Sequence, residues 1–179
     1  MTDILLINPP LSQEERYGIK FKAGGQTPPL GLTLLAAVLR EHGWNPAILD
    51  APALGLSTEA AGDAALKMKP SVIGLTAATV SIFNAHDLAV RLKAAAPATP
   101  ILLGGPHLTA VPEETMTRFE AFDLGAIGEA DETILELADA LVRKTRPLSE
   151  IRGIIYREGG NLRTTPPRPF LEDLVATGA

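Results

Sequence analysis

The chain has 179 residues, of which 46% are apolar and 21% charged, the proportions of an ordinary globular domain rather than of a disordered chain. Its formal net charge of -5 and the lack of any long basic run exclude a non-specific grip on nucleic-acid phosphates, which needs clustered Lys and Arg. It contains no cysteine, so disulfides, thiolate zinc sites and iron–sulfur clusters have no donors within it.

The N-terminus lacks the basic start and apolar core of a signal peptide, and no apolar run approaches the ~20 residues that span a bilayer; no membrane span is expected, and the expected compartment is the cytoplasm. DILLIN, residues 3–8, is a short apolar run closed by Pro9 and Pro10 and reads as a strand buried on both faces. A loop over 11–29 follows, longer than ordinary connections and so functional or mobile. The spacing of Leu32, Leu35, Ala36 and Leu39 predicts a helix over 30–42, stopped by Gly43. PAILD, 46–50, is the second strand. A helix over 58–69 follows, capped by Ser57 or Thr58 and ended by Pro70. SVIGLT, 71–76, is the third strand, and a helix over 84–95 buries Ala85, Leu88, Ala89 and Leu92. TPILL, 99–103, is the fourth strand and runs into Gly104 and Gly105. A short helix over 112–119 and a weak fifth strand over 123–127 come next. The last helix, 131–144, turns Ile134, Leu137, Ala138 and Leu141 inward. Asp131 is placed to cap its start, and Arg143, Lys144 and Arg146 make a solvated basic end.

Five strands alternating with helices predict an α/β fold, a doubly wound five-stranded parallel sheet of Rossmann or flavodoxin-like type in the order 2-1-3-4-5. The pattern then changes. GIIYR (153–157) and LRTT (162–165) flank EGGN, which predicts a C-terminal β-hairpin appendage. The expected division is a doubly wound domain over 1–146, a hairpin extension over 147–169, and over 170–179 the start of a linker.

In such sheets ligands bind where the carboxyl ends of the strands meet the switch in strand order. The loops there carry Asn8, Pro9 and Pro10; Thr76, Ala77, Ala78, Thr79 and Val80; Gly104, Gly105, Pro106 and His107; and Gly128 and Glu129. GGPH permits close approach of backbone to a bulky ligand, or equally a tight strand-to-helix turn. LTAAT offers small side chains and two hydroxyls, for a pocket or for plain strand-end capping. Gly128 suits close ligand approach, while Asp131 and Glu132 suit the positive helix end. His107 is a structural residue before it is a metal ligand, and His42 and His86 read as surface or packing residues. No G-x-G-x-x-G, G-x-x-x-x-G-K-[ST] or G-x-S-x-G occurs, which removes dinucleotide, P-loop and α/β-hydrolase readings.

Taken in order, NPP, PPLGLTLLAAVLREHG, GLTAAT, LLGGPHLTAVPEE and GAIGEADET resemble the cobalamin-binding domain at the N-terminus of radical S-adenosylmethionine enzymes. The hairpin followed by RPFLEDL is similar to that family's passage into its catalytic barrel. The resemblance implies a corrinoid held at the carboxyl edge, with its nucleotide tail in a slot between strands. It assigns Thr76 to the hydroxyl residue that meets the tail, Gly104 and Gly105 to the glycines that let it pass, and 79–83 to the lower corrin face. Many cobalamin proteins carry D-x-H-x-x-G after the first strand; here that position reads NPPLSQ. The resemblance therefore implies cobalamin with its base displaced and no protein His below cobalt, an arrangement suited to methyl transfer to a radical, in an enzyme that is a methyltransferase or a related anaerobic cyclase. S-adenosylmethionine and the iron–sulfur cluster would belong to the downstream barrel, the implied partner. The competing readings are a stand-alone flavodoxin-like module for flavin or another nucleotide, and a cofactor-free interaction domain.

Overall fold

β1 (Ile4–Asn8) sends Leu5 and Ile7 into one buried apolar cluster and Ile4 and Leu6 into another, because successive side chains of a strand point to opposite faces. β3 (Val72–Thr76) repeats the division, Ile73 and Leu75 against Val72, and β4 (Ile101–Gly104) repeats it again, Ile101 and Leu103 against Leu102. Each cluster is covered by helices. On the first face α3 (Thr58–Lys67) packs on α4 (Ile82–Ala95), while α5 (Pro106–Ala110) and α6 (Pro112–Arg118) contribute Leu108 and Met116. On the second face α2 (Leu30–Glu41) meets α7 (Asp131–Ala138). The computed structural model describes residues 2–18 and 27–169; part of the long loop over 11–29 and the expected linker over 170–179 lie outside the described residues.

β2 (Pro46–Asp50), β1, β3, β4 and β5 (Leu124–Ala126) pair parallel in the expected order. The sheet continues past them. β6 (Ile154–Glu158) pairs antiparallel with β5, and β7 (Asn161–Thr164) with β6, so there is one sheet of seven strands. The expectation of five strands with an appended hairpin is corrected in this respect: the hairpin is the sheet's own edge. Ile155 joins the first apolar cluster, and Ile154 and Tyr156 the second, so β6 finishes both cores where the short β5 would leave them open. The Arg157 side chain adds a tie, donating to the carbonyls of Phe122 (3.0 Å), Phe119 (3.4 Å) and Met116 at the end of α6. The hairpin turns through Gly159 and Gly160, with φ of 58° and 83°, the positive values a tight two-residue turn demands.

Other elements differ from expectation in detail. Within the loop after β1, Ser12 and Glu15 form a reciprocal cap that starts α1 (Gln13–Tyr17), a capping-box pattern that the sequence reading passed over. α4 begins at Ile82 behind a 3-10 turn, Thr79–Ser81. α7 passes at its end into a wider π turn, Asp139–Arg143, closed by Lys144 at φ 59°. Its N-cap is Ala130 and no side chain caps it, so Asp131 does not hold the capping role expected of it. The basic end is engaged rather than merely solvated: Arg143 pairs with Asp139 (2.9 Å) and lies 4.0 Å from the centre of the Trp44 ring, and Arg146 pairs with Glu136 (2.8 Å).

Candidate functional site

The parallel strands end together. Asn8 stands opposite Asp50, and Thr76 opposite Gly104, so the predicted loops share one edge of the sheet. Two of these loops interlock. The Ala77 N–H donates to the Gly104 carbonyl (3.0 Å), the His107 N–H donates to the Ala77 carbonyl (3.1 Å), and His107 Nδ1 lies 3.1 Å from the Thr79 hydroxyl.

This interlock separates the two adjacent glycines. Gly105 has φ 97°, and a Cβ there would lie 2.7 Å from Thr76 Oγ1 and 2.8 and 2.9 Å from the Ala77 carbonyl oxygen and nitrogen. It is glycine because the backbone needs it. Gly104 has no such constraint: its Cβ would meet only the Leu75 carbonyl, at 4.0 Å. By strand alternation Gly104 faces the same side as Leu102, and the space where its side chain would stand belongs to a cavity.

That cavity has a volume of about 410 Å³, within the range of small-molecule sites. It lies between α2 and α7 above the strand ends. Its floor is Leu6, Gly74 and Leu102; its strand-end rim is Thr76, Gly104, Gly105, Ala126 and Gly128; its walls include Leu30, Leu34 and Leu35 on one side and Glu129, Asp131 and Ile134 on the other. Gly74 interrupts an otherwise apolar strand, and a Cβ there would stand 3.0 Å from the tip of Leu6 and 3.6 Å from that of Leu102. The slot is thus mostly apolar, with the Thr76 hydroxyl and the acidic start of α7 as its polar features. Leu30 is 68% and Leu34 45% exposed at its edge.

The structure gathers the expected residues at one edge but divides them between sites. Thr76, Gly104, Gly105, Gly128 and Glu129 line the slot. Thr79 and His107 line a smaller hollow of about 170 Å³ on the other face, with Phe83, Val111, Glu114 and Arg118. Pro10 lines a polar cleft of about 520 Å³ with Ser12, Glu15, Ser57 and Asn84. There the Glu15 carboxyl is held below its ordinary range, first by the Asn84 side-chain amide and then by the Ser12 backbone N–H and hydroxyl. Asn8 donates its amide to Asp50 (2.9 Å), Pro9 is buried, Ala77 is buried, Ala78 is half-buried, and Val80 and Pro106 are exposed. His42 turns Nδ1 to the Val38 carbonyl at the end of its own helix, and His86 packs beside Phe119 and Phe122, both as expected. Among the described residues no group of three or more His, Cys, Asp or Glu is placed to hold a metal, and no helix is long and apolar enough to cross a membrane.

Sequence reasoning missed the α2 wall, Gly74, and Ala130, Asp131 and Ile134 as slot residues. Gly74, set inside VIGLT, was the available signal, since glycine in a buried strand marks a close approach. Nothing in the spacing of α2 tells a leucine facing the core from one facing a slot.

The family model described as the B12 binding domain matches residues 18–138. An uncharacterized methyltransferase of Pyrococcus horikoshii is 36% identical over 171 residues, covering 96% of this chain and 36% of its own length. The anaerobic magnesium-protoporphyrin IX monomethyl ester cyclase of Rubrivivax gelatinosus is 29% identical over 155 residues, covering 84% of this chain and 28% of its own. The chain thus spans about a third of the length of the curated relatives it matches. Among solved structures, the radical S-adenosylmethionine methyltransferase TsrM of Kitasatospora setae, with tryptophan substrate and an S-adenosylmethionine analogue bound, superposes with a TM-score of 0.75 at 18% identity, covering 94% of this chain and 31% of that one. The cobalamin-dependent S-adenosylmethionine radical enzyme OxsB superposes with a TM-score of 0.74 at 22% identity, covering 95% and 23%. These two likenesses are likenesses of fold.

Proposed function

The chain belongs to the B12-binding domain family, and we propose that it holds cobalamin at the carboxyl edge of its sheet, as the corrinoid-binding part of a longer radical S-adenosylmethionine enzyme of methyltransferase or cyclase type. The observation that carries the reading is the slot of about 410 Å³ left open where Gly104 has no side chain, above a floor where Leu6 and Leu102 close over Gly74. It suits a flat, largely apolar heteroaromatic group entering from the strand ends, as the benzimidazole of the cobalamin tail does. When bound, cobalamin supplies a cobalt centre that accepts and passes on a methyl group; that chemistry is the cofactor's, and the protein binds and orients it.

Each part of the edge has a role in this reading. Gly104 leaves the path of the tail free, and Leu6 and Leu102, packed over Gly74, form the floor beneath it. Thr76 offers a hydroxyl at the mouth. Gly105 keeps the 77–79 loop pinned beneath the corrin without itself making room. Asn8, Pro9 and Pro10 on one side and Gly128 and Glu129 on the other would border the macrocycle, and the loops of Ala77, Ala78, Thr79, Val80, Pro106 and His107 would face it. The exposed Val80 and Phe83 (51% and 54%) present apolar surface there, and the segment after β1 carries no His. We therefore propose base-off binding with no protein His under the metal. Residues 1–146 form the binding unit, 147–169 extend its sheet, and 170–179 lead toward the barrel that would carry S-adenosylmethionine and the iron–sulfur cluster.

The test is a spectrophotometric titration of the chain with hydroxocobalamin, followed by gel filtration. Saturable co-elution with the spectrum of a displaced base is expected. A folded chain that gives no saturable change overturns the corrinoid reading, and binding with the base still on cobalt overturns the base-off part alone.

A further inference from the structure

The Arg168 side chain is only 14% exposed, yet it lies beyond the last strand, in the segment by which the chain leaves the sheet. Burying a guanidinium is unfavourable unless its donors are paired, and here each nitrogen has a partner. Nε donates to the Thr133 hydroxyl (3.0 Å), Nη1 to Glu132 and Nη2 to Glu136. All three partners stand on the first turns of α7.

That short stretch of helix has two occupied sides. Ala130, Asp131 and Ile134 line the slot; Glu132, Thr133 and Glu136 hold Arg168. A helix turn is stiff, so the wall of the slot and the anchor of the exit segment are one body. The backbone reinforces the link. Gly153 N–H donates to the Pro166 carbonyl (2.9 Å), Ile154 N–H to the Thr165 hydroxyl (3.0 Å), and Ile127 N–H, next to the slot's Gly128, to the Gly153 carbonyl (2.8 Å). The hairpin explains why the exit lies there at all. β6 starts and β7 ends at the carboxyl edge of the parallel strands, so the chain is returned to the side where the ligand would sit.

We infer that Arg168 is a positioning residue that joins the slot wall to the departing chain, so that filling the slot and fastening residues 165–168 favour one another. The inference rests on the corrinoid reading of the slot. Coupling of this kind is reciprocal: whatever factor the ligand adds to the fastening, the fastening adds to the ligand's affinity.

The experiment uses the 179-residue chain, hydroxocobalamin as the probe, and amide hydrogen exchange read by NMR. In the wild type, saturating hydroxocobalamin should slow exchange at Gly153 and Ile154 at least about 5-fold more than at Leu162 at the far end of the hairpin. In Arg168→Gln this extra protection should vanish and affinity should fall by a similar factor. Glu132→Gln, at a largely exposed partner, should give a smaller loss in both and guards against misfolding of the first variant. Wild-type binding with no selective protection at Gly153 and Ile154 overturns the coupling and leaves the corrinoid reading standing; so does unchanged affinity in both variants. A wild type that binds no hydroxocobalamin overturns both.

Discussion

Exchanging each of the two adjacent glycines for alanine, one at a time, should give opposite results. At Gly105 the backbone sits at φ 97°, ψ 178°, a region open essentially to glycine alone, which costs another residue about 1–3 kcal/mol. The new Cβ would also stand within 2.9 Å of three atoms, two of them backbone atoms of Ala77 that cannot rotate aside; relief by backbone shift adds about 1–3 kcal/mol. Gly105→Ala should therefore lose about 2–6 kcal/mol, a large share of a typical domain's stability, and lower Tm by roughly 4–24 °C. At Gly104 the nearest atom would be 4.0 Å away, so there is no steric cost, and the reduced freedom of the unfolded chain favours the variant by about 0.4–1 kcal/mol. Gly104→Ala should melt at or slightly above the wild type while binding hydroxocobalamin more weakly, because its methyl group stands in the slot. Thermal melts by circular dichroism and the hydroxocobalamin titration read both quantities. Equal melting of Gly105→Ala and wild type would refute the close-packing argument, and undiminished binding by Gly104→Ala would refute the path assigned to the tail.

Thr76→Val keeps the shape of the slot's mouth and removes its hydroxyl, so hydroxocobalamin affinity should fall about 2- to 10-fold with little change in Tm; an unchanged titration would remove Thr76 from the binding role. Arg157→Ala strips the charged donor from the carbonyls of Met116 in α6 and of Phe119 and Phe122 just beyond it and should cost about 1.5–3 kcal/mol, seen as a lower midpoint in urea unfolding, whereas a loosely hung hairpin would show no shift. Glu15 has its pKa lowered in the folded chain by the Asn84 amide and the Ser12 N–H. Its capping contribution to α1 is thus fully present above the unfolded carboxylate pKa and is lost as pH falls through the lower folded value. NMR shifts of residues 13–17 should follow that acid transition, and Glu15→Gln should abolish it.

Much of the architecture was legible because periodicity reports burial directly. ILLI, residues 4–7, is apolar without interruption because both faces of β1 are covered, and Leu32, Ala36 and Leu39 repeat because one face of α2 meets the core. The hairpin turn was legible through Gly159 and Gly160, but its pairing with β5 was not, since a strand pattern states which residues are buried and not against which neighbour. The short helix α5 and the two-sided use of α7 escaped for the same reason. A helix of five residues leaves too little periodicity to read, and Ile134 facing a slot looks in sequence like Ile134 facing a core.

The sequence by itself determined the alternation of strands and helices, and it pointed to the carboxyl edge as the candidate site and to the glycines and hydroxyls there, since each follows from local chemistry and spacing. Only the tertiary structure decided what those marks do. Gly104 and Gly105 are identical in sequence, but one opens a cavity and the other lets two loops touch. That difference lies in atoms brought from β3 across the sheet, which no spacing along β4 encodes. The same holds for Arg168, an exposed-looking cation among prolines in the sequence, which the fold buries against α7 because two further strands return the chain to that helix.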